Sequence, residues 1–341
     1  MGGEKFIMKL LITGGLGFIG SNFIHYLQKR HLDWRIINLD KMTYAANPAN
    51  LKDIKKGKGY KFIKGDICNQ KLVEEIFQKE KPDIVVHFAA ESHNTRAEKQ
   101  PEIFYKTNVK GTKVLLDAAQ KSLVEKFIYI SSDEVYGSIK KGYFKEDDAD
   151  DRYKYLKSDY PKSKAQADRL ASWYAKKGLP VIVARPTNNF GPRQHPEKAL
   201  PRYITNVFLG KKMPVWGKGL QVRDWLYVKD CCRAIDLLIT KGKIGEAYNI
   251  AANNRPEIKN RDVARILCEI MKIDPKNWIE FVPDPRPQHD FRYSLLSRKI
   301  RKLGWQPSRS IKKLFAQTVE WYRQNPAWWK KLKEEAEKLY R

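Results

Sequence analysis

The chain has 341 residues, 42% of them hydrophobic, and carries 66 Lys+Arg against 39 Asp+Glu for a formal net charge of +27. That length exceeds what one core usually fills and predicts two closely packed lobes, while the apolar content excludes a disordered chain and no apolar run reaches the ~20 residues that span a bilayer. The positive field attracts anions, but the basic residues come in short pieces such as Lys55-Lys56, Lys140-Lys141 and Arg298-Lys299, so neither specific nucleic-acid binding nor membrane attachment is expected.

Residues 1–7 are short and polar and lack a signal peptide's apolar core, and Met8-Lys9-Leu10 can itself serve as the start; the expectation is a cytoplasmic protein. From there strand-like and helix-like segments alternate, the pattern of a parallel sheet with helices on both faces. Strands are predicted over 9–13, 35–39, 60–64, 84–89, 127–130 and 180–184, and helices over 18–30, 70–79, 107–122 and 162–176. After Pro186 the order loosens, with short units at 225–228, 231–240, 247–250 and 261–271. The tail, 311–341, reads as helix, with Trp321, Trp328 and Trp329 packing on the body. Cys68, Cys231, Cys232 and Cys268 form no C-x-x-C pair and no cluster with His, so they read as inert thiols and no metal site is predicted.

Gly14, Gly17 and Gly20 follow the first strand and open a helix in G-x-x-G-x-x-G spacing. Glycine there lets the backbone turn tightly and approach a pyrophosphate, and the helix N-terminus favours the anion. Asp40 ends the second strand, where a carboxylate accepts hydrogen bonds from an adenosine ribose and repels a 2′-phosphate, so NAD is expected over NADP; Lys41 beside it tempers that preference. Asp66-Ile67 follows the third strand, where an adenine contact would lie. Together these features predict an α/β fold: a Rossmann-type doubly wound parallel sheet over 8–186, then a smaller C-terminal α/β substrate-binding lobe over 187–341 that returns some segments to the first domain.

The strand at 127–130 delivers Ser131-Ser132-Asp133-Glu134-Val135-Tyr136-Gly137, and Tyr160 and Lys164 follow one loop later. Tyr160 and Lys164 are four apart, hence on one helical face, and Pro161 puts the tyrosine at the very start of its helix. Near Lys164 and an oxidised nicotinamide, both cationic, the phenol is expected to have a lowered pKa and to act as base. Asp133 and Glu134 separate the reaction types: a simple oxidoreductase needs neither, whereas loss of water needs an acid for the leaving hydroxyl and a base for the neighbouring proton. Adjacent carboxyls push their pKa values apart, leaving one protonated and one ionised near neutral pH.

At this point the chain resembles the nucleoside-diphosphate-glucose 4,6-dehydratases of the extended short-chain dehydrogenase/reductase family, over about residues 9–330. The run from Ser131 to Gly137 is similar to that family's S-T-D-E-V-Y-G, with Ser132 in place of Thr. Further matching stretches begin at Leu39, Ala89, Asn188, Pro196, Gln221 and His289. The resemblance implies NAD as cofactor, dTDP-glucose as the expected substrate ahead of UDP-glucose, and a homodimer formed through helices beside Tyr160. It implies that Tyr160, helped by Ser132 and Lys164, takes the proton of the sugar 4-hydroxyl, that Glu134 takes the C5 proton, and that Asp133 protonates the 6-hydroxyl. By the same resemblance Phe18, Ile19, Met42, Thr43, Ala89, Ala90, Ser92, Thr107 and Asn189 join the cofactor site. His93, Asn188, Lys198, Ala199, Pro214, Val215, Trp216, Arg223, Asn260, Arg286 and His289 join the substrate site. The sequence departs from the family around those contacts, at Pro161-Lys162, at Asn94-Thr95 and near Pro285. Two rival readings share the fold: a nucleotide-sugar 4-epimerase, against which Asp133-Glu134 argues, and a non-enzymatic NAD-binding module.

Overall fold

Strands rich in Ile, Val and Leu send successive side chains to opposite faces, so a sheet made of them needs cover on both sides. The computed structural model, which describes residues 8–54, 59–92, 97, 100–284 and 290–338, has that architecture. The main sheet contains β1 (Met8–Thr13), β2 (Trp34–Asp40), β3 (Tyr60–Lys64), β4 (Ile84–His87), β5 (Lys126–Ile130), β6 (Val181–Pro186) and a seventh strand, Ala247–Ile250. All seven are parallel, with β1 flanked by β2 and then β3 on one side, and by β4, β5, β6 and Ala247–Ile250 in turn on the other. In β1, Leu10 and Ile12 enter one core and Leu11 the other; in β5, Ile128 and Ile130 oppose Phe127 and Tyr129.

Helix α1 (Phe18–Arg30) and the later helix Val228–Lys241 cover the first face through Phe23, Ile24, Leu27, Ile235 and Leu238. Helices α2 (Gln70–Glu80), α3 (Thr112–Lys121) and α4 (Asp159–Lys176) cover the second through Val73, Phe77, Leu115, Ala167 and Ala171. The strand order reverses at β1 and β4, and the crevice beyond their C-terminal ends is where such sheets bind ligands.

A third core lies in the later part of the chain, where Phe315 sets its ring edge-on to Phe190 (4.8 Å) and Trp225 (5.9 Å) beside Tyr203, Met213 and Tyr322. Two helical expectations need correction. The tail is two helices, Ile311–Gln324 and Pro326–Glu337, because Pro326 brings no N–H and disfavours helical geometry at Asn325. The segment expected as one helix from 107 begins as a π-helical turn, Tyr105–Gly111, before α3; such turns often mark functional sites. Trp329 is buried, its indole donating to Tyr322 O at 2.8 Å, and Trp321 and Trp328 are partly buried around the same core. The four cysteines are free thiols, and no helix among the described residues is long and apolar enough to cross a membrane.

Under the crevice a buried network stiffens the sheet edge. Arg185 of β6 donates twice to Asp168 of α4 (2.9 and 2.7 Å) and once to the Tyr136 hydroxyl (2.8 Å). The Tyr136 hydroxyl donates to Asn249 Oδ1 at 2.7 Å, so β6, α4, the turn after β5 and the seventh strand are joined.

Candidate active site

β1 ends at Thr13 and the backbone turns at Gly14 with φ +73°. A Cβ on Gly14 would lie 2.7 Å from Ala89 N, and one on Gly20 would lie 2.4 Å from Gly14 O. Only glycine allows the turn to meet the end of β4 and α1 to sit this close to the turn. At Gly17, the N-cap of α1, a Cβ would meet only Gly14 O, at 3.2 Å, so that position opens into the cleft. No side chain caps α1, and its first amides are left for an anion.

Asp40, at the end of β2, is buried and accepts from Leu16 N (2.9 Å) and Met42 N (2.8 Å); burial pushes its carboxyl up and these two amides oppose that. Met42 itself takes φ +62°. Lys41 pairs with Asp66 at 2.8 Å, so the cation that tempered the preference against a 2′-phosphate is held by a carboxylate. The glycine cradle and the buried Asp40 fit NAD.

A cleft of about 330 Å³ runs from this turn to the end of β5. After Ile130 the chain enters a single turn, Asp133–Tyr136, capped by Ser132, whose hydroxyl accepts from Glu134 N (3.2 Å) and donates to Asp133 Oδ1 (3.2 Å). Asp133 is 2% exposed, and its Oδ2 has no hydrogen-bond partner among the described residues. Burial and then the Glu134 charge raise its carboxyl to about 8, against the pull of Arg223, so Asp133 is a protonated acid at neutral pH.

Tyr160 is the second residue of α4, at the start that Pro161 dictates. Its expected lowered pKa is not what this structure gives. Burial and the Glu134 charge push the phenol up, with the nearby Ser132 hydroxyl pulling the other way. Lys164 does not offset them: its Nζ donates to Ile130 O at 2.7 Å, lies 4.6 Å from the Tyr129 ring centre, and is itself lowered by burial to about 7.

Every described cofactor candidate lines the cleft except Met42, which acts through its backbone on Asp40. Of the substrate candidates, Ser132, Asp133, Glu134, Asn188 and Lys198 line it, and Lys198 Nζ reaches across to Ser92 O at 3.0 Å. Ala199, Pro214, Val215, Trp216, Arg223 and Asn260 are not part of its wall. Val215 is fully buried in the third core. Arg223 donates to the carbonyls of Val222 (2.7 Å), Asp290 (2.8 Å) and Phe291 (3.2 Å), which clamps a neighbouring segment. His93, Arg286 and His289 lie outside the described residues. Sequence reasoning missed Glu91, His195 and Glu197, which also line the cleft, although Glu91 and Glu197 lay in stretches matched to the family. It also missed Asn108, in the π-helical turn, which bonds both backbone groups of Glu91 (2.8 and 3.1 Å) and Ser163 Oγ (2.9 Å) and so fixes one wall to α4.

The sequence model of the NAD dependent epimerase/dehydratase family matches residues 10–251. The chain belongs to this family. Within the family it is 42% identical to a dTDP-glucose 4,6-dehydratase of Streptomyces niveus, over 96% of each chain. A solved dTDP-glucose 4,6-dehydratase from Streptomyces venezuelae, crystallised with NAD and TYD, superposes with TM-score 0.88 at 40% identity and covers 95% of this chain and all of its own. A family epimerase, the UDP-glucose 4-epimerase of Thermotoga maritima, has a TM-score of 0.83 but only 27% identity, over 94% of this chain. The family's NAD is this chain's cofactor, and the dehydratases are the nearer kin among these relatives.

Proposed function

We propose that the protein removes water from dTDP-glucose and releases the 4-keto-6-deoxy sugar nucleotide. The observation that carries this reading is the pair of a buried Asp133, its carboxyl pushed up by burial and by Glu134, and Glu134 itself, in one cleft with Tyr160 and a glycine cradle that fits NAD. A 4-epimerase needs the base and the cofactor, but it has no leaving hydroxyl to protonate.

NAD held by the turn at Gly14, Gly17 and Gly20 and by Asp40 would supply reversible hydride acceptance, the redox chemistry by which C4 is oxidised and C6 later reduced. Tyr160 takes the proton of the 4-hydroxyl as C4 becomes a ketone, and the ketone acidifies the C5 proton. Glu134 takes that proton while Asp133 delivers its own to the 6-hydroxyl, which leaves as water. Glu134 then returns its proton to C5. Over the cycle Tyr160 gains one proton and Asp133 loses one. Ser132, whose hydroxyl donates to Asp133 Oδ1 and favours the ionised Tyr160 phenol, is the group that would carry the proton back. Asn188 and Lys198 face the cleft from the later part of the chain and would hold the diphosphate, with Arg223, Arg286 and His289 implied by resemblance. In this reading residues 8–186 hold the cofactor and 187–341 mainly the sugar nucleotide. A cytoplasmic homodimer belongs to the same proposal, supported by Trp173 on α4, half-exposed at 51%, an aromatic of the kind an interface covers.

Incubating the purified protein with dTDP-glucose, without added cofactor, and weighing the sugar nucleotide tests this directly. Loss of one water supports dehydration with retained NAD. Unchanged mass with NAD supplied, together with a C4 epimer on chromatography, would hand the site to the epimerase reading. Because Asp133 must carry its proton, kcat is expected to decline above about pH 8, approaching tenfold per unit. A rate that holds steady well above that pH would contradict the acid assignment.

A further inference from the structure

The nucleotide turn is held from behind by a residue that no glycine motif announces. Leu16 lies between Gly15 and Gly17; its N–H goes to Asp40 Oδ2, and its carbonyl accepts from Asn47 N (3.0 Å) and from Asn50 Nδ2 (2.7 Å). The peptide is planar, so fixing the Leu16 carbonyl fixes the amide of Gly17, the N-cap from which α1 aims its first N–H groups into the cleft. Asn50 is 1% exposed, and the opposite end of its side chain is also engaged: Oδ1 accepts from the indole of Trp328 at 2.8 Å, 278 residues away in sequence.

Trp328 sits on the last helix, Pro326–Glu337, edge-on to Trp321 at 4.9 Å. The preceding helix of this hairpin, Ile311–Gln324, sends the Tyr322 hydroxyl to Gln194 O, in the stretch that carries the cleft residues His195, Glu197 and Lys198. From the same stretch Arg193 Nε reaches Asn50 O at 3.1 Å, and His25 Nε2 of α1 reaches that oxygen at 2.8 Å. The C-terminal hairpin therefore touches both walls of the cleft, and Asn50 is where its hold meets the cofactor turn.

We infer that Asn50 is a positioning residue for NAD and that the C-terminal hairpin, through Trp328, sets how tightly the cofactor is kept. A cycle that returns its hydride to the same sugar needs the cofactor to stay through turnover, which gives such a hold a purpose. The inference rests on the cleft being the NAD site.

The test is a double-mutant cycle on the full chain, reading the NAD dissociation constant by calorimetry well below each variant's melting temperature. Asn50→Ala is expected to raise it about tenfold and Trp328→Phe, which keeps an aromatic ring in place, about threefold, the range one buried hydrogen bond supports. In the Asn50→Ala background Trp328→Phe should have no further effect on NAD, because its path to the turn is already cut. Asn50→Asp keeps the acceptor for Trp328 but sets an oxygen against the Leu16 carbonyl, and it should weaken NAD at least as much as the alanine. Equal affinity in wild type and both Asn50 variants would overturn the inference. So would an undiminished Trp328→Phe effect in the Asn50→Ala background, which is what general loosening of the fold would produce. Wild-type protein that binds no NAD would instead overturn the reading of the cleft itself.

Discussion

Tyr160→Phe is expected to stop the reaction at its first step, lowering kcat by about 10²–10⁴, the usual worth of a positioned general base. The ring packs edge-on to Phe104 with centroids 6.3 Å apart, a contact that phenylalanine keeps, so the change removes the hydroxyl and little else. Mixing the variant with dTDP-glucose should give no rise in the near-ultraviolet absorbance of reduced nicotinamide. A rise at the wild-type rate would place the base elsewhere in the cleft. The phenol is pushed up by burial and by Glu134, so it depends on its surroundings in the working complex to ionise. That makes its hydroxyl a sensitive point of the site.

Glu134→Gln should separate the two halves of the chemistry. Oxidation at C4 should proceed, because Tyr160 and Ser132 are intact, while dehydration should fall by about 10²–10⁴ for want of a base at C5. Reduced cofactor and the 4-keto sugar with its water retained should then accumulate together, visible by absorbance and by mass. Glutamine keeps the shape of the side chain but removes the charge that helps raise Asp133, so the alkaline decline of any residual activity should begin at lower pH. Complete dehydration at the wild-type rate would remove Glu134 from this role.

The sheet strands, the glycine turn and Asp40 were legible because each depends on local chemistry. Short continuous apolar runs report strands of a sheet buried on both faces, and glycines at fixed spacing report a backbone that nothing larger permits. Tyr160 at the head of its helix could be read from Pro161 alone. The break at Asn325 carried the same kind of signal in Pro326, favoured at a helix start, and the tail's charge pattern hid it. What stayed illegible depends on the tertiary environment. The sequence pairs Lys164 with Tyr160 by spacing, but only the fold reveals that Ile130 O takes its ammonium and that burial dominates both pKa values. The backbone carbonyls that accept from Arg223, two of them near residue 290, are likewise invisible in the sequence. Glu91 and Glu197 lay in recognised stretches, but nothing local marked them as facing the cleft.

Asp133 also ties this cleft to the thermodynamics of the whole chain. Its carboxyl stands at about 8 in the folded protein against an ordinary 3.8, so between those values the chain takes up a proton as it folds. Where the folded state binds more protons than the unfolded one, stability declines with rising pH. The contribution from Asp133 is whole below the lower value, shrinks through neutrality, and is gone once pH has passed the upper one. The protonated acid is therefore a standing alkaline weakness of the fold: the pH that strips the site of its leaving-group proton is also the pH at which the molecule holds together least well on this group's account.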